Sequence, residues 1–434
     1  MLTDLLLDYN TLAPASKDEI TLLLNISAPL PEVETTRAPQ ALQFVLDRSG
    51  SMAGQRLETA KTALLRLLDR LSPSDAFGLV LFDNNSETLI PLKPIKDHNL
   101  TQLRSTIKSI TAGNSTDINS GFILGAQSLL KFENTSGSTL ILLSDGHANA
   151  GQRDPEILKA SAASFLQNSI TTSTIGIGEG YDELLLSALS TGGAGTHRFA
   201  SNSDELSSAI ADEITNLLQK SAIATTLTFN PDPSLASKLT FNTLQHFTKL
   251  QDSSSLPSFQ LGDLYAGESR DLLFSLQISD LSLETPTTIA SLDLSYFDPS
   301  LNKNKSLSLP ILISPPTSTP RVANPIVQAH KVINQAQSQK AQASALLREG
   351  SKDQALKKLN KALKELTSFL NSLTPTLSEN DTIKSLLEAE INDIKLLIEI
   401  TLSFDTYYSA KRLNESYSRK LTARDRFRAN QKQV

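Results

Sequence analysis

Between about residues 40 and 218, short apolar segments alternate with longer amphipathic ones, and this alternation constrains the fold more than any other feature of the chain. Buried strands are predicted at QFVLD, AFGLVLFD, STLILLSDG and ITTSTIGIG. Helices are predicted between them, most clearly at GQRLETAKTALLRLLDRL, where leucine and alanine recur at helical spacing. The alternation predicts an α/β fold, with a mostly parallel sheet and helices on both faces. Ligands of such sheets bind beyond the carboxyl ends of the strands.

The segments on both sides of this α/β region have the alternating pattern of antiparallel strands. One such segment covers 19–29, and several more, separated by turn-forming residues, lie between about 222 and 314. The later group predicts a β-sandwich. The α/β region is therefore either inserted in the sandwich or followed by it. Insertion is favoured because the strand at 19–29 has no crossover helix that would join it to a parallel sheet.

After a proline-rich linker, PPTSTP, the chain is helical. Residues 380–430 fit one long helix or two. The predicted organisation is an N-terminal segment (1–39) with a strand that joins the sandwich, an α/β domain (40–220), a β-sandwich (221–314), a linker (315–323) and a helical domain with a basic tail (324–434).

Composition and charge argue against several classes of function. The formal net charge of −6 is unlike that of a general nucleic-acid binder, so no nucleic acid is expected as a partner. The lack of cysteine excludes disulfides, thiolate zinc sites and cysteine nucleophiles. We expect a cytoplasmic protein without a membrane span, because the chain has no long apolar stretch and no secretory signal pattern. Residues 411–434 hold eight Lys or Arg and two acids, which fits a solvated helix end or a contact for an acidic partner.

Phosphate binding and nucleophilic catalysis leave only weak traces in the sequence. The P-loop pattern GxxxxGK[ST] is absent, and the glycines of TIGIGEGYD do not have the spacing of a dinucleotide fingerprint. The serines of DRSGSM do not match GxSxG. A serine nucleophile also needs a base, and His147 follows a strand end in SDGHAN, where an exposed loop position is the favoured explanation. We therefore expect no catalytic residues and no enzyme.

Oxygen-bearing side chains gather at the ends of the predicted strands. Asp47, Ser49 and Ser51 come at the end of the strand QFVLD and just after it. Thr116 lies in the polar loop GNSTDINSG, and Asp145 follows the strand LILLS. Because loops that follow parallel strands open on the same edge of a sheet, we expect these side chains to converge. Carboxylate and hydroxyl oxygens suit a hard cation such as Mg²⁺.

Considered singly, each of these serines and aspartates could cap a helix or form a turn. Asp83 and Asp117, which lie near the same loops, are interpreted in this way and not as ligands. The joint pattern, in order along the chain and at successive strand ends, is what favours a metal site.

The α/β region resembles a von Willebrand factor A (vWA) domain with a complete metal-ion-dependent adhesion site. DRSGS matches the DxSxS element of that site at Asp47, Ser49 and Ser51. Thr116 matches its isolated threonine, and Asp145 matches its later aspartate. The flanking segments are similar to those of bacterial intracellular vWA proteins. The resemblance implies a Rossmann-like arrangement of the sheet and helices.

The resemblance also implies how the site works. Ser49, Ser51 and Thr116 would coordinate the metal directly, and at least one of the two aspartates would act through water. The implied metal is Mg²⁺, or else Mn²⁺ or Ca²⁺, with an open position for a Glu or Asp of a partner protein. The expected function is metal-dependent protein–protein interaction, in an adhesion or adaptor role. Two alternatives stay open: a vWA adaptor subunit of an AAA+ ATPase assembly of the MoxR or chelatase kind, and a metal-assisted hydrolase.

Two further expectations concern the rest of the chain. The C-terminal helices are expected to bind a second partner or to self-associate. In the vWA family, ligand binding can shift the last helix of the domain, which here covers about 204–220 and runs into a strand at 223. We therefore hypothesise that the metal site and the sandwich are coupled.

Overall fold

The computed structural model describes residues 1–14, 17–29, 39–132, 138–145, 148, 150–178, 180–217, 219–245, 248–249, 256–373 and 379–421. The chain begins with two antiparallel strands, β1 (Leu2–Leu7) and β2 (Lys17–Ser27). The sequence pattern predicted the second of these strands and missed the first.

The α/β region forms a six-stranded sheet with six helices. Its elements are β3 (Ala41–Asp47), α1 (Gln55–Leu68), β4 (Ala76–Phe82), β5 (Ser86–Pro94), α2 (Leu100–Lys108), α3 (Ile118–Leu130), β6 (Ser138–Ser144), α4 (Pro155–Leu166), β7 (Ile170–Ile177), α5 (Glu183–Gly192), β8 (Ala194–Ala200) and α6 (Ser203–Leu217). The strand order is β5-β4-β3-β6-β7-β8. All neighbours are parallel except β5, which pairs antiparallel with β4 at one edge. The predicted mostly parallel sheet is confirmed.

Both faces of the sheet are covered by helices. Leu42, Phe44 and Leu46 of β3 belong to an apolar cluster with buried residues of α1, α2 and α6. Ala41 and Val45, which point to the opposite face, pack in a second cluster with α3, α4 and α5. Because successive residues of a strand point to opposite faces, burial of both faces requires a mostly apolar strand, and in β3 only Gln43 and the terminal Asp47 are polar.

Seven more strands follow and complete two antiparallel sheets. They are β9 (Lys220–Pro231), β10 (Leu239–Thr243), β11 (Thr248–Lys249), β12 (Ser258–Tyr265), β13 (Ser269–Ser279), β14 (Thr287–Asp298) and β15 (Lys303–Ile313). One sheet has the order β1-β2-β13-β10, and the other has the order β11-β12-β9-β14-β15. Since β2 pairs with β13 along its whole length, the α/β region lies in the chain between strands of these two sheets.

The two antiparallel sheets share one apolar cluster. Phe241 of β10 stacks on Phe229 of β9, in the other sheet, with ring centroids 4.4 Å apart. Phe274 of β13 lies 5.0 Å from the same ring of Phe241. Aromatic rings bury a large apolar area, so these contacts stabilise the packing between the sheets.

The described residues after the second antiparallel sheet form four helices: α7 (Pro325–Arg348), α8 (Lys352–Ser372), α9 (Glu379–Ser403) and α10 (Thr406–Leu421). Their buried alanines, leucines and isoleucines form a separate cluster. The last segment, for which one or two helices were predicted, is two helices in its described part. In the part of the chain that the structure describes, no helix has the combination of length and apolar character that crossing a bilayer requires.

The helical region packs against both other parts of the molecule. Val327 of α7 is buried with Leu23 of β2 and Leu273 of β13. Arg412 of α10 forms an ion pair of 2.9 Å with Glu205 of α6. The helix α10 therefore lies against the same α/β region that carries the predicted metal site.

Candidate functional site

The turn after β3 holds the first carboxylate of the predicted site. Asp47 is the last residue of β3, and its side chain is buried. Its Oδ1 accepts a hydrogen bond of 2.7 Å from the backbone N–H of Ser49. Its Oδ2 accepts a hydrogen bond of 2.5 Å from the hydroxyl of Ser144, the last residue of β6. The ends of the two neighbouring parallel strands are thus joined through Asp47.

A chain of oxygens runs from this turn to the second carboxylate. The hydroxyls of Ser49 and Ser51 lie 3.1 Å apart. The Ser51 hydroxyl donates a hydrogen bond of 2.7 Å to Oδ1 of Asp145, which directly follows β6. Four of the five predicted ligands, including Asp47, therefore lie in one cluster at the carboxyl edge of the sheet.

Burial changes the acidity of the site. Removal from water raises the pKa of Asp47 to about 6, because the charged carboxylate loses hydration. Hydrogen bonds from Ser144 and Ser49 oppose this change, while the nearby negative charge of Asp145 adds to it. A cation between the two carboxylates would relieve both the lost hydration and the repulsion between them.

The fifth predicted residue, Thr116, lies in the loop before α3 and is buried. This loop contacts the turn that holds the two serines. The backbone N–H of Gly50 donates to the carbonyl oxygen of Asn114 at 2.9 Å, and the N–H of Gly113 donates to that of Arg48 at 2.5 Å. The structure thus brings the backbone around Thr116 against the serine turn.

The two acids interpreted as local residues have local partners. Oδ1 of Asp117 accepts from the N–H of Ser120 at 3.0 Å, which is the N-cap contact of α3. Oδ1 of Asp83 accepts from the N–H of Asn85 at 2.9 Å, and its Oδ2 lies 3.1 Å from Nε of Arg48. These contacts account for both carboxylates without a metal.

Sequence reasoning missed two residues that touch the site. Ser144 was missed because it ends an apolar strand. A hydroxyl at the end of such a strand is nevertheless a sequence feature that could have indicated a site residue. Arg56, in the first turn of α1, places its Nη1 2.5 Å from Oδ2 of Asp145. Its place in the helical pattern of α1 gave no indication of this contact.

The oxygen positions fit a hard cation. An octahedral Mg²⁺ with ligands at about 2.0–2.1 Å holds adjacent ligand oxygens about 3 Å apart. The 3.1 Å between Ser49 and Ser51 and the 2.7 Å between Ser51 and Asp145 are close to that spacing. Among the residues that the structure describes, no three His, Cys, Asp or Glu side chains cluster in a way that could hold a metal. A metal at this edge would therefore depend on the hydroxyls as well as the carboxylates.

One histidine of the α/β region is held in the protein interior. His147, the candidate base, lies outside the described residues. His197 is buried, with its ring nitrogens 2.9 Å from the Thr174 hydroxyl and 3.1 Å from the Tyr181 hydroxyl. Its imidazole is therefore engaged within the protein interior.

Comparison with known families assigns the α/β region. Residues 42–214 match the von Willebrand factor type A domain family. This region is a vWA domain. The match extends from β3 into α6 and so includes all six strands of the parallel sheet, together with the serine turn and the Thr116 loop.

Two relatives illustrate how far the sequence similarity extends. An uncharacterized protein of the cyanobacterium Synechocystis is 28% identical over 318 residues, which cover 71% of this chain and 73% of that protein. Human inter-alpha-trypsin inhibitor heavy chain H3 is 28% identical over 268 residues. The latter match covers 57% of this chain and 29% of the heavy chain, so this chain spans less than a third of that relative.

Two solved structures share the fold over nearly the whole chain. A von Willebrand factor type A protein from Catenulispora acidiphila superposes with a TM-score of 0.74 at 14% identity, over 96% of each chain. The ArnB paralog VWA2 from Sulfolobus acidocaldarius superposes with a TM-score of 0.64 at 17% identity, over 96% of this chain and 97% of that one. The vWA domain with its additional sheets and C-terminal helices is therefore a shared arrangement.

Proposed function

We propose that the vWA domain holds a divalent cation in a metal-ion-dependent adhesion site and uses it to bind an acidic side chain of a partner protein. The proposed ligands are Asp47, Ser49, Ser51, Thr116 and Asp145, and the proposed metal is Mg²⁺, or else Mn²⁺ or Ca²⁺. The observation that carries the proposal is the chain of hydrogen-bonded polar groups that runs from Asp47 at the end of β3, through Ser49 and Ser51, to Asp145 after β6.

The residue types explain why such a site would bind and not react. Serine and threonine hydroxyls are neutral ligands, and at least one of the two aspartates would act through water, so part of the positive charge of a bound cation would stay uncompensated. The carboxylates of Asp47 and Asp145 orient these donors, because one accepts from the Ser49 amide and the other from the Ser51 hydroxyl. When bound, the cation supplies Lewis acidity that favours a carboxylate at its open position.

A binding role also agrees with the family. Von Willebrand factor type A domains often mediate protein–protein interactions. We therefore propose an adhesion or adaptor protein and not an enzyme. A cytoplasmic location and a second contact through the C-terminal helices stay predictions from the sequence.

Mn²⁺ binding to the purified full chain tests the metal site. Asp47→Asn removes one carboxylate charge at constant size, and we expect it to weaken binding by roughly tenfold or more in isothermal titration calorimetry. Asp117→Asn is the matched control, since it changes the same charge beside Thr116 and asparagine is also a good N-cap. The proposal is wrong if the wild type does not bind Mn²⁺, or if Asp47→Asn binds it as tightly as the wild type.

Capture of partners in Mg²⁺ tests the second half of the proposal. Proteins held by the wild type and by Asp117→Asn, and lost with Asp47→Asn or with chelator, would be the metal-dependent partners. Substitution of each Glu and Asp at the binding surface of such a partner should then identify one residue whose loss abolishes capture. Equal capture in chelator and in Mg²⁺ would contradict a metal-dependent interaction.

A further inference from the structure

An arginine of this chain already makes contact with the candidate metal site. Nη1 of Arg56 lies 2.5 Å from Oδ2 of Asp145 and donates to the carbonyl oxygen of Ser51 at 3.3 Å. The Asp145 side chain is fully buried, whereas 41% of the Arg56 side chain is exposed. The guanidinium therefore lies at the solvent side of a buried carboxylate.

Residues just after β7 leave the space that the Arg56 guanidinium occupies. Gly178 has a φ of +70°, and a Cβ there would lie 2.7 Å from Nη2 of Arg56 and 3.1 Å from its Cζ. A Cβ on Gly180 would lie 3.6 Å from the carbonyl oxygen of Asp145. The distance at Gly180 is an ordinary contact, whereas a side chain at Gly178 would occupy the space of the Arg56 guanidinium.

We propose that Arg56 is an internal competitor of the divalent cation for Asp145 and sets the metal affinity of the site. This inference rests on the proposed adhesion site. Oδ1 of Asp145 accepts from the Ser51 hydroxyl, and Oδ2 accepts from Arg56, so both oxygens of the carboxylate are engaged. A cation at Asp145 must share that carboxylate with a positively charged guanidinium.

Arg56 lowers the affinity of the site for a divalent cation in two ways. The ion pair with Asp145 must weaken before the carboxylate can neutralise a metal. The guanidinium charge also repels a second cation a few ångströms away, where screening by salt is weak. Wild-type affinity for a divalent cation is therefore lower than the oxygen ligands alone would give. Once the ion pair with Asp145 is weakened, the exposed guanidinium of Arg56 would lie beside the carboxylate of an incoming partner protein.

Mn²⁺ titration of the full chain, followed by calorimetry, tests the inference. Arg56→Gln should bind Mn²⁺ about three- to tenfold more tightly than the wild type. Arg56→Met keeps much of the apolar stem and should do the same, which provides a second variant if the first fails to fold. Arg56→Lys retains the charge without the planar guanidinium, and its affinity should lie between those of the wild type and Arg56→Gln.

Arg66→Gln is the matched control. Arg66 is an exposed residue of the same helix, ten positions further on, which is about 15 Å along the axis and beyond the screening length at physiological salt. Its removal should leave the affinity unchanged.

The outcomes separate this inference from the proposed function. If folded Arg56→Gln and Arg56→Met bind Mn²⁺ as the wild type does, or more weakly, the proposed role of Arg56 is wrong. The adhesion site would still be supported if the wild type binds Mn²⁺ and Asp47→Asn does not. If neither the wild type nor the Arg56 variants bind Mn²⁺, both the site and the inference are wrong. Tighter binding by Arg56→Gln than by a wild type that binds measurably but weakly would support both.

Discussion

Lys411 of α10 and Glu183 of α5 form an ion pair that is buried between the two helices, with 3.0 Å between Nζ and Oε2. Nζ of Lys411 also donates to the carbonyl oxygen of Tyr181 at 2.7 Å and lies 3.9 Å from the centre of the Tyr181 ring. Tyr181 belongs to the loop after β7, which also contains the glycines beside Asp145. The C-terminal helix is thus fixed to the edge of the sheet that carries the candidate site.

Lys411→Met should loosen α10 from the vWA domain. The substitution leaves Glu183 buried with the more distant Arg348, at 3.7 Å, as its charged partner among the described residues. Breaking a buried pair in this way costs about 3 kcal/mol or more. Hydrogen exchange of the α10 amides should accelerate about 100-fold if these amides exchange by local undocking. Lys364→Met, at an exposed position of α8, is the control and should leave exchange in α10 unchanged.

His197 should make the protein less stable in mild acid. Burial, and secondarily the charge of Lys411, lowers the pKa of His197 from 6.5 to about 3. Between these values the unfolded chain binds a proton that the folded protein excludes, so the free energy of unfolding falls as the pH falls through 6.5. The loss reaches about 2 kcal/mol at pH 5.

Urea unfolding of His197→Gln between pH 7.5 and pH 5 checks this dependence. The variant lacks the titrating ring, so its stability should fall by about 2 kcal/mol less than that of the wild type over this range. His98→Gln, which changes a less buried histidine, should keep most of the wild-type dependence. Identical pH profiles for the wild type and His197→Gln would show that His197 is not held neutral by the fold.

A second buried ion pair should couple the vWA domain to the antiparallel sheets. Nζ of Lys220, at the start of β9, lies 2.6 Å from Oδ2 of Asp263 in β12, and both side chains are buried. The Thr139 hydroxyl accepts from Lys220 at 2.8 Å, and the Thr171 hydroxyl donates to Asp263 at 3.0 Å, which ties the pair to β6 and β7. The junction that follows α6 is therefore anchored on the parallel sheet.

Asp263→Asn should reduce the free energy of unfolding by about 3 kcal/mol, because it leaves the charge of Lys220 buried. When Asp263→Asn is combined with Lys220→Met, the total loss of unfolding free energy should be smaller than the sum of the two single losses by about 1–3 kcal/mol. Urea unfolding of the two single variants and the double variant measures this coupling. Asp69→Asn removes an acid from the exposed pair with Arg104 and should cost less than about 1 kcal/mol. Additive single losses would mean that the pair is not coupled.

Gly125→Ala should destabilise the packing of α3 on the sheet. A Cβ at Gly125 would lie 2.5 Å from Cγ2 of Val45 and 3.1 Å from Cδ1 of Leu140. Overpacking of this kind costs about 1–3 kcal/mol, which exceeds the roughly 1 kcal/mol that alanine gains in helix propensity. Thermal unfolding should therefore show a lower midpoint, whereas Gln127→Ala at an exposed position of α3 should not lower it. A raised midpoint for Gly125→Ala would show that α3 can move enough to accommodate the added methyl group.

Patterns in the amino-acid sequence were enough to predict the vWA domain and the positions of its candidate ligands along the chain. Strands such as β3 and β6 are buried on both faces, so they are mostly apolar, and the helices between them show apolar residues at helical spacing. Asp47 and Asp145 stand at or directly after such runs, and parallel strands place their ends at one edge. Local patterns were therefore sufficient to predict which segments meet there.

Two strands lacked a pattern that the sequence could show. The strand β5 has two prolines and is only partly buried. Proline is tolerated in an edge strand because the backbone groups on its outer side have no neighbouring strand to pair with. The strand β1 pairs only with β2, at the edge of its sheet, and much of it is half-exposed or exposed. Weak burial leaves little periodicity, which is why both elements escaped prediction.

The contacts between polar side chains depend on tertiary packing. Ser144 with Asp47, Arg56 with Asp145 and Lys411 with Glu183 are contacts between segments that are remote in the sequence. Periodicity records which face of an element is buried, but it contains no information on the register and distance between remote elements. A hydrogen bond or ion pair forms only when two atoms come within about 3 Å, and that distance is fixed by the packing of the whole sheet and its helices.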